Sequence, residues 1–173
     1  MRRLMAAIAF PLALVAAASP VQAANPAMAG TYVLDRTHSD DVNRAIEQTV
    51  SRLSFVTRPI ARGRLRRTNQ AYQRIVIAFG AADVSIAFDQ RRALVTPANG
   101  TPVDWTREDG EKLVISTQWQ GSRLEQTFKG ADGRRANAYS LSADGRVLTM
   151  DVTVTSPRLS GPMTYKLVFT RAG

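Results

Sequence analysis

Leu148-Thr149-Met150-Asp151-Val152-Thr153-Val154-Thr155, followed beyond Ser156-Pro157 by Met163-Thr164-Tyr165-Lys166-Leu167-Val168-Phe169-Thr170, is the stretch that decides the fold. Leu148, Met150, Val152 and Val154 alternate with threonine and Asp151. Met163, Tyr165, Leu167 and Phe169 alternate with Thr164, Lys166 and, after Val168, Thr170. A period of two with one apolar and one polar face is the mark of an antiparallel strand, one side packed and the other wet.

The same period extends back to Tyr72. Ile75, Ile77 and Phe79 form one such set, Val84, Ile86 and Phe88 another, Leu113, Ile115 and Trp119 a third, and Leu124 and Phe128 a fourth. Asn99-Gly100, Asp109-Gly110, Asp132-Gly133 and Asp144-Gly145 punctuate these runs with residues that tolerate positive φ, and Gly80 and Gly121 mark two further turns. With a first strand at Gly30-Thr31-Tyr32-Val33-Leu34, the count reaches nine or ten. The expected fold class is mainly β, an antiparallel meander of about 8–10 strands that closes into a barrel, because closure removes exposed edges. An outer-membrane barrel is disfavoured, since Arg123, Glu125, Lys129, Asp151 and Lys166 interrupt any outward apolar band.

One segment breaks the pattern. Ser39-Asp40-Asp41 supplies capping oxygens, and Val42, Ala45, Ile46, Val50 and Leu53 recur at helical spacing. A second short helix is expected from Pro59 to Arg67, with Pro59 at its first position and Gly63 weakening it. The helical insert therefore spans about 39–67, after the first strand.

The N-terminus carries Arg2 and Arg3, an apolar run from Leu4 to Ala18, and Val21-Gln22-Ala23. This reads as a secretory signal peptide over 1–23. A flexible leader over 24–29 and a single domain over 30–173 follow, in a periplasmic or secreted protein. Absence of cysteine excludes a lipoprotein anchor, disulfides, thiolate metal sites and cysteine nucleophiles. The 23 lysines and arginines, less Arg2 and Arg3, oppose 14 acidic residues and leave the expected mature chain at +7. No Asp or Glu lies between Gln48 and Ala82, while Arg52, Arg58, Arg62, Arg64, Arg66, Arg67 and Arg74 do. Those arginines predict a basic helical face toward anionic lipid or an acidic protein; export argues against nucleic acid.

Catalytic and metal motifs are sparse. The sole histidine, His38, stands near Asp35, Asp40 and Asp41, which read as turn and cap residues rather than an acid-oriented base or a ligand set. Asp104, Glu108, Asp109 and Glu111 flank a hairpin turn and read as solvated charges. No Gly-x-Ser-x-Gly elbow or phosphate loop is present. The chain is read as a non-enzyme and a monomer with neither cofactor nor metal. Trp105, Trp119, Tyr139 and Tyr165 are candidate cavity-lining aromatics, the alternative being ordinary core. Gln126 shares a face with Leu124 and Phe128, so an interior amide is expected there, in need of a partner.

The Gly30-Thr31-Tyr32 strand, the helical insert and the meander together resemble the calycin superfamily, lipocalins and fatty-acid-binding proteins, the latter with a helix–turn–helix after their first strand. The resemblance implies an interior that takes a small amphipathic or lipid-like molecule without catalysis. Lipocalins open on Gly-x-Trp under a late arginine, which implies that Arg171 packs over Tyr32 at one barrel end. Arg58-Pro59-Ile60-Ala61-Arg62-Gly63-Arg64-Leu65 and Thr155-Ser156-Pro157-Arg158-Leu159 also resemble uncharacterised exported bacterial proteins, which implies no function. Two functional readings stand: a lipocalin-like carrier, and an envelope interaction protein that uses its arginine face.

Overall fold

The computed structural model describes residues 26–107 and 109–173. The expected signal peptide lies outside the described residues, as does Glu108. Ten antiparallel strands form one sheet: β1 (Gly30–Leu34), β2 (Arg74–Phe79), β3 (Asp83–Phe88), β4 (Leu94–Pro97), β5 (Val103–Thr106), β6 (Lys112–Gln120), β7 (Arg123–Gly130), β8 (Gly133–Leu141), β9 (Val147–Thr155) and β10 (Met163–Arg171). The order is β4-β3-β2-β1-β10-β9-β8-β7-β6-β5, so each strand pairs with its sequence neighbour and β1 with β10. The ladder is open between β4 and β5. There the Thr96 hydroxyl donates to the Thr117 hydroxyl at 2.7 Å and the Gly100 N–H to the Thr117 carbonyl at 2.8 Å, which nearly closes the barrel. Gly100 holds φ +88, a conformation that favours glycine, and a Cβ there would strike the Gln118 amide.

Two helices connect β1 to β2, α1 (Val42–Val50) and α2 (Arg58–Thr68). Asp41 caps α1 by accepting from the Asn43 and Arg44 amides. Val42, Ile46 and Val50 are its buried stripe. Pro59 sits in the first turn of α2, and Arg66 and Arg67 sit in its last, where cations suit the helix dipole. Helix α2 continues through Gly63 because tertiary ties hold it. Arg64 pairs with Asp132 at 2.6 Å, and the Thr68 carbonyl accepts from Arg135 at 2.9 Å.

Up-and-down connectivity gives the barrel two unlike ends. The helices and the β3–β4, β5–β6, β7–β8 and β9–β10 turns share one end, and the chain termini share the other. The apolar core fills the latter. Leu124, Leu148 and Tyr139 are fully buried there, and Phe79 stacks on Trp119 with ring centroids 5.8 Å apart. Of the leader expected to be flexible, residues 26–29 are tied in: Pro26–Met28 is a 3-10 turn and Met28 is fully buried. The cause is a set of carbonyl acceptors for side chains that the strands deliver, described next.

Candidate functional site

At the closed end Tyr32 and Arg171 meet. The Arg171 guanidinium lies 4.8 Å from the Tyr32 ring centroid and donates to the Tyr32 hydroxyl at 2.6 Å. It also donates to the Ala27, Ala29 and Gly145 carbonyls, while the Tyr32 hydroxyl donates to the Met28 carbonyl at 3.0 Å. Burial raises the Tyr32 hydroxyl above its ordinary pKa despite the adjacent arginine. Among the described residues this end is packed, with Met28 and Tyr32 fully buried.

The helix end is different. Beneath α2 lies a cavity of about 830 Å³, bounded by α2, the turns of that end and the upper thirds of β6 to β9. Phe128, Leu113, Trp105 and Phe88 give it apolar walls, and Leu53 of the α1–α2 connection with Ile60 and Leu65 of α2 cover it. Its rim is cationic: among the described residues Arg64, Arg67, Arg91, Arg92, Arg107, Arg134, Arg135 and Arg158 line it against Glu111 and Asp132. Asp132 is engaged by Arg64 and by Arg158 at 3.1 Å, and Glu111 by Arg107 at 2.6 Å. Hydrogen bonding from Arg64 holds the Asp132 carboxyl below its usual range, and hydrogen bonding from Arg107 brings Asp109 down to about 2. Arg67, Arg91, Arg92, Arg134 and Arg135 have no acidic partner among the described residues.

A largely polar belt crosses the barrel at one level, and Asn137 is its member in the cavity lining. Thr117 of β6, Gln126 of β7, Asn137 of β8, Val152 of β9 and Tyr165 of β10 are successive register partners. All five are buried. Hydrogen bonds run down from the cavity in one direction: Arg135 Nε to Asn137 Oδ1 at 2.8 Å, Asn137 Nδ2 to the Tyr139 hydroxyl at 3.1 Å, and that hydroxyl to Gln126 Oε1 at 3.3 Å. Burial pushes the Tyr139 hydroxyl up, so it stays a donor. The chain ends on Gln126 Nε2, which is buried without an acceptor, as are Trp119 Nε1 and Arg135 Nη2. Tyr165 donates to Asn69 Oδ1 at 3.2 Å, which fixes the end of α2 over the belt.

Of the aromatic and polar residues singled out from sequence, Trp105 lines the cavity with Arg92 5.1 Å from its ring. Gln126, Tyr139 and Tyr165 lie in the belt and just beneath it, and Trp119 packs in the closed half. The arginine segment is divided. Arg62 binds Glu47 bidentately, at 2.8 Å and 3.1 Å from Nε and 2.8 Å from Nη2, and Arg66 joins the same carboxylate at 3.0 Å. Arg62 holds Glu47 below the normal carboxylate range. Arg58 turns back onto the Ser51 and Leu53 carbonyls, Arg64 and Arg67 face the cavity, and Arg52 and Arg74 are exposed elsewhere. The segment has no acid of its own, but strand turns and α1 supply them across space. His38 pairs with Asp35 at 2.7 Å on the surface, outside the cavity lining.

Arg135, Asn137, Asn69, Arg91 and Arg92 escaped the sequence reading. For the first two a signal existed: Tyr139 was expected inside, and residues two and four before it on a strand share its face.

No protein-family model matches the chain, and neither does any curated protein. Solved structures do. A fatty-acid-binding protein of Echinococcus granulosus aligns over 85% of this chain and 98% of its own, at 9% identity and TM-score 0.55. A Schistosoma mansoni fatty acid binding protein in complex with arachidonic acid aligns over 85% and 97%, at 16% identity and TM-score 0.54. A heat soluble (SAHS) protein of Ramazzottius varieornatus aligns over 86% and 98%, at 9% identity and TM-score 0.61. The chain shares the antiparallel β-barrel fold of these proteins.

Proposed function

We propose that this protein is an exported, non-enzymatic carrier that binds a small amphipathic, lipid-like molecule in the upper half of its barrel. The observation that carries the reading is the cavity of about 830 Å³ with apolar walls and Arg135 on its side, an arginine without an acidic partner among the described residues. Small-molecule sites occupy ~300–1,000 Å³ and set a few convergent polar groups in apolar walls. An unpaired guanidinium facing a partly desolvated space is costly, and an anionic head group relieves that cost. The apolar tail then lies against Phe128, Leu113 and Trp105, toward Ile60 at the mouth. Native mass spectrometry of protein purified from the periplasm tests both halves of the proposal. A mature mass starting at Ala24 with a co-purified amphiphile is expected. An intact N-terminus would sink export. No bound mass, together with no uptake of added fatty acid by the delipidated protein, would sink carriage.

A second reading has its own support. The turn between α1 and α2 exposes Phe55 at 83% and Val56 at 63%, and the first turn of α2 exposes Ile60 at 74%, beside exposed Arg52. An apolar tip with adjacent cations suits an anionic membrane, where each basic residue adds about 1 kcal/mol and salt screens it. Co-sedimentation with anionic but not zwitterionic vesicles, lost at high salt, is the expected result. Equal binding to both vesicle types, or none, would remove it.

A further inference from the structure

We infer that the head group this cavity takes is doubly negative, a phosphate monoester or its equivalent, clamped between Arg91 and Arg135. The inference rests on the ligand-binding reading above and narrows it. Arg91 belongs to the β3–β4 turn and Arg135 to β8, far apart in sequence. Both converge on one ring: their guanidinium carbons lie 5.7 Å and 5.8 Å from the Tyr72 centroid. Tyr72 is itself fixed by Phe88, with ring centroids 4.4 Å apart. Two like charges gathered on one side chain repel, and a protein ordinarily sets a carboxylate between them. Among the described residues none does so here. Asp132 and Glu111, the acids of the rim, are engaged by Arg64, Arg158 and Arg107. Arg91 donates only to the neutral Gln70 amide, Arg135 only to neutral acceptors, and Arg135 Nη2 is buried with none. Among the described residues nothing supplies that counter-charge, and a ligand entering the cavity would.

One carboxylate would neutralise one of these cations. A phosphate monoester carries about −1.5 to −2 charges at neutral pH and three acceptor oxygens. Each guanidinium can present its planar fork to two oxygens. The apolar wall below the rim requires that the phosphate carry a tail.

Calorimetric titration of the delipidated protein with decyl phosphate, decyl sulfate, decanoate and inorganic phosphate tests this. At about pH 7.5 decyl phosphate is expected to bind roughly tenfold more tightly than decanoate or decyl sulfate, the two monoanions. At about pH 5.5 the phosphate, with a second pKa near 6, is mostly a monoanion, and its advantage should collapse. Inorganic phosphate should bind far more weakly than decyl phosphate. Arg91→Gln, on an exposed turn, should bring the phosphate-to-carboxylate ratio toward one, with the thermal transition unmoved. The clamp is overturned by equal affinity for phosphate and carboxylate, by an advantage indifferent to pH, or by an Arg91→Gln loss equal for both. Inorganic phosphate binding as well as decyl phosphate would make this a free-anion site and also overturn it. If none of the amphiphiles binds, the carrier reading itself fails and the clamp with it.

Discussion

The two ends of this barrel are built from the same strands and solve opposite problems. At the closed end Arg171 has acceptors for its donors and an aromatic face beneath it, and the apolar side chains around it are fully buried. At the helix end Arg135 has a donor left over, Arg91 has no counter-charge, and the apolar side chains face an opening. An arginine whose bonds are all satisfied fixes structure. One that lacks partners lowers stability and is retained where a ligand completes it. The comparison thus separates structural from functional charge by partner accounting, not by burial.

Stability should follow the same division. Leu148→Ala, in the closed half, removes a fully buried side chain from close packing and is expected to cost about 2–5 kcal/mol in urea unfolding. Arg171→Gln abandons the Ala29 and Gly145 carbonyls and should cost about 1.5–3 kcal/mol, with a loosened N-terminal segment visible in amide exchange. Phe128→Ala, on the cavity wall, enlarges a space that already exists, so it should cost less than Leu148→Ala, about 2 kcal/mol or under. A Phe128→Ala loss equal to that of Leu148→Ala would mean that the upper half is packed as tightly as the lower. Arg135→Gln gives up the Thr68 carbonyl but also removes a cation with no acidic partner among the described residues, so stability should move by less than about 1 kcal/mol net while, on the carrier reading, amphiphile affinity falls roughly tenfold.

The strands were readable because their alternation is local: each residue's face follows from its neighbours two positions away. That is why the meander and the inserted helices emerged from sequence. The rim is not local. Arg91, Arg135 and Tyr72 come from three separate elements, and only closure of the sheet brings them together. The acids that answer the arginine segment are equally remote, with Asp132 on the β7–β8 turn meeting Arg64 on α2. A charge run read along the chain predicts a uniform basic face. In three dimensions part of it is neutralised and part is turned into the cavity. Arg135 and Asn137 were within reach, since they share the face of Tyr139. β8 lacked the apolar alternation that flagged the other strands, and a polar inner face is the sign of a lined space.

The smallest effect concerns the helix pair that forms a lid over the cavity. Glu47 on α1 joins Arg62 and Arg66 on α2, and Arg62 holds its carboxyl below the ordinary value of 4.5. A carboxyl that is more acidic folded than unfolded contributes stability fully above its unfolded pKa and loses it as pH falls through the folded value. The helix pair should therefore be indifferent to pH from neutrality down to about 5 and loosen below about 4.5. Asp132, which ties α2 to the β7–β8 turn and is also held below its usual value, acts in the same direction and range. Both pairs are solvent-exposed, so the change should be small against Leu148→Ala. Amide exchange of α1 and α2 between about pH 6 and 3.5, corrected for intrinsic rates, reads it directly. Glu47→Gln should exchange faster at pH 6 and show a shallower acid dependence than the parent protein. A parent lid whose protection is flat through this range, or a Glu47→Gln lid that retains the parent slope, would mean the clasp does not hold the helices together and that burial of Ile46, Val50 and Leu65 does.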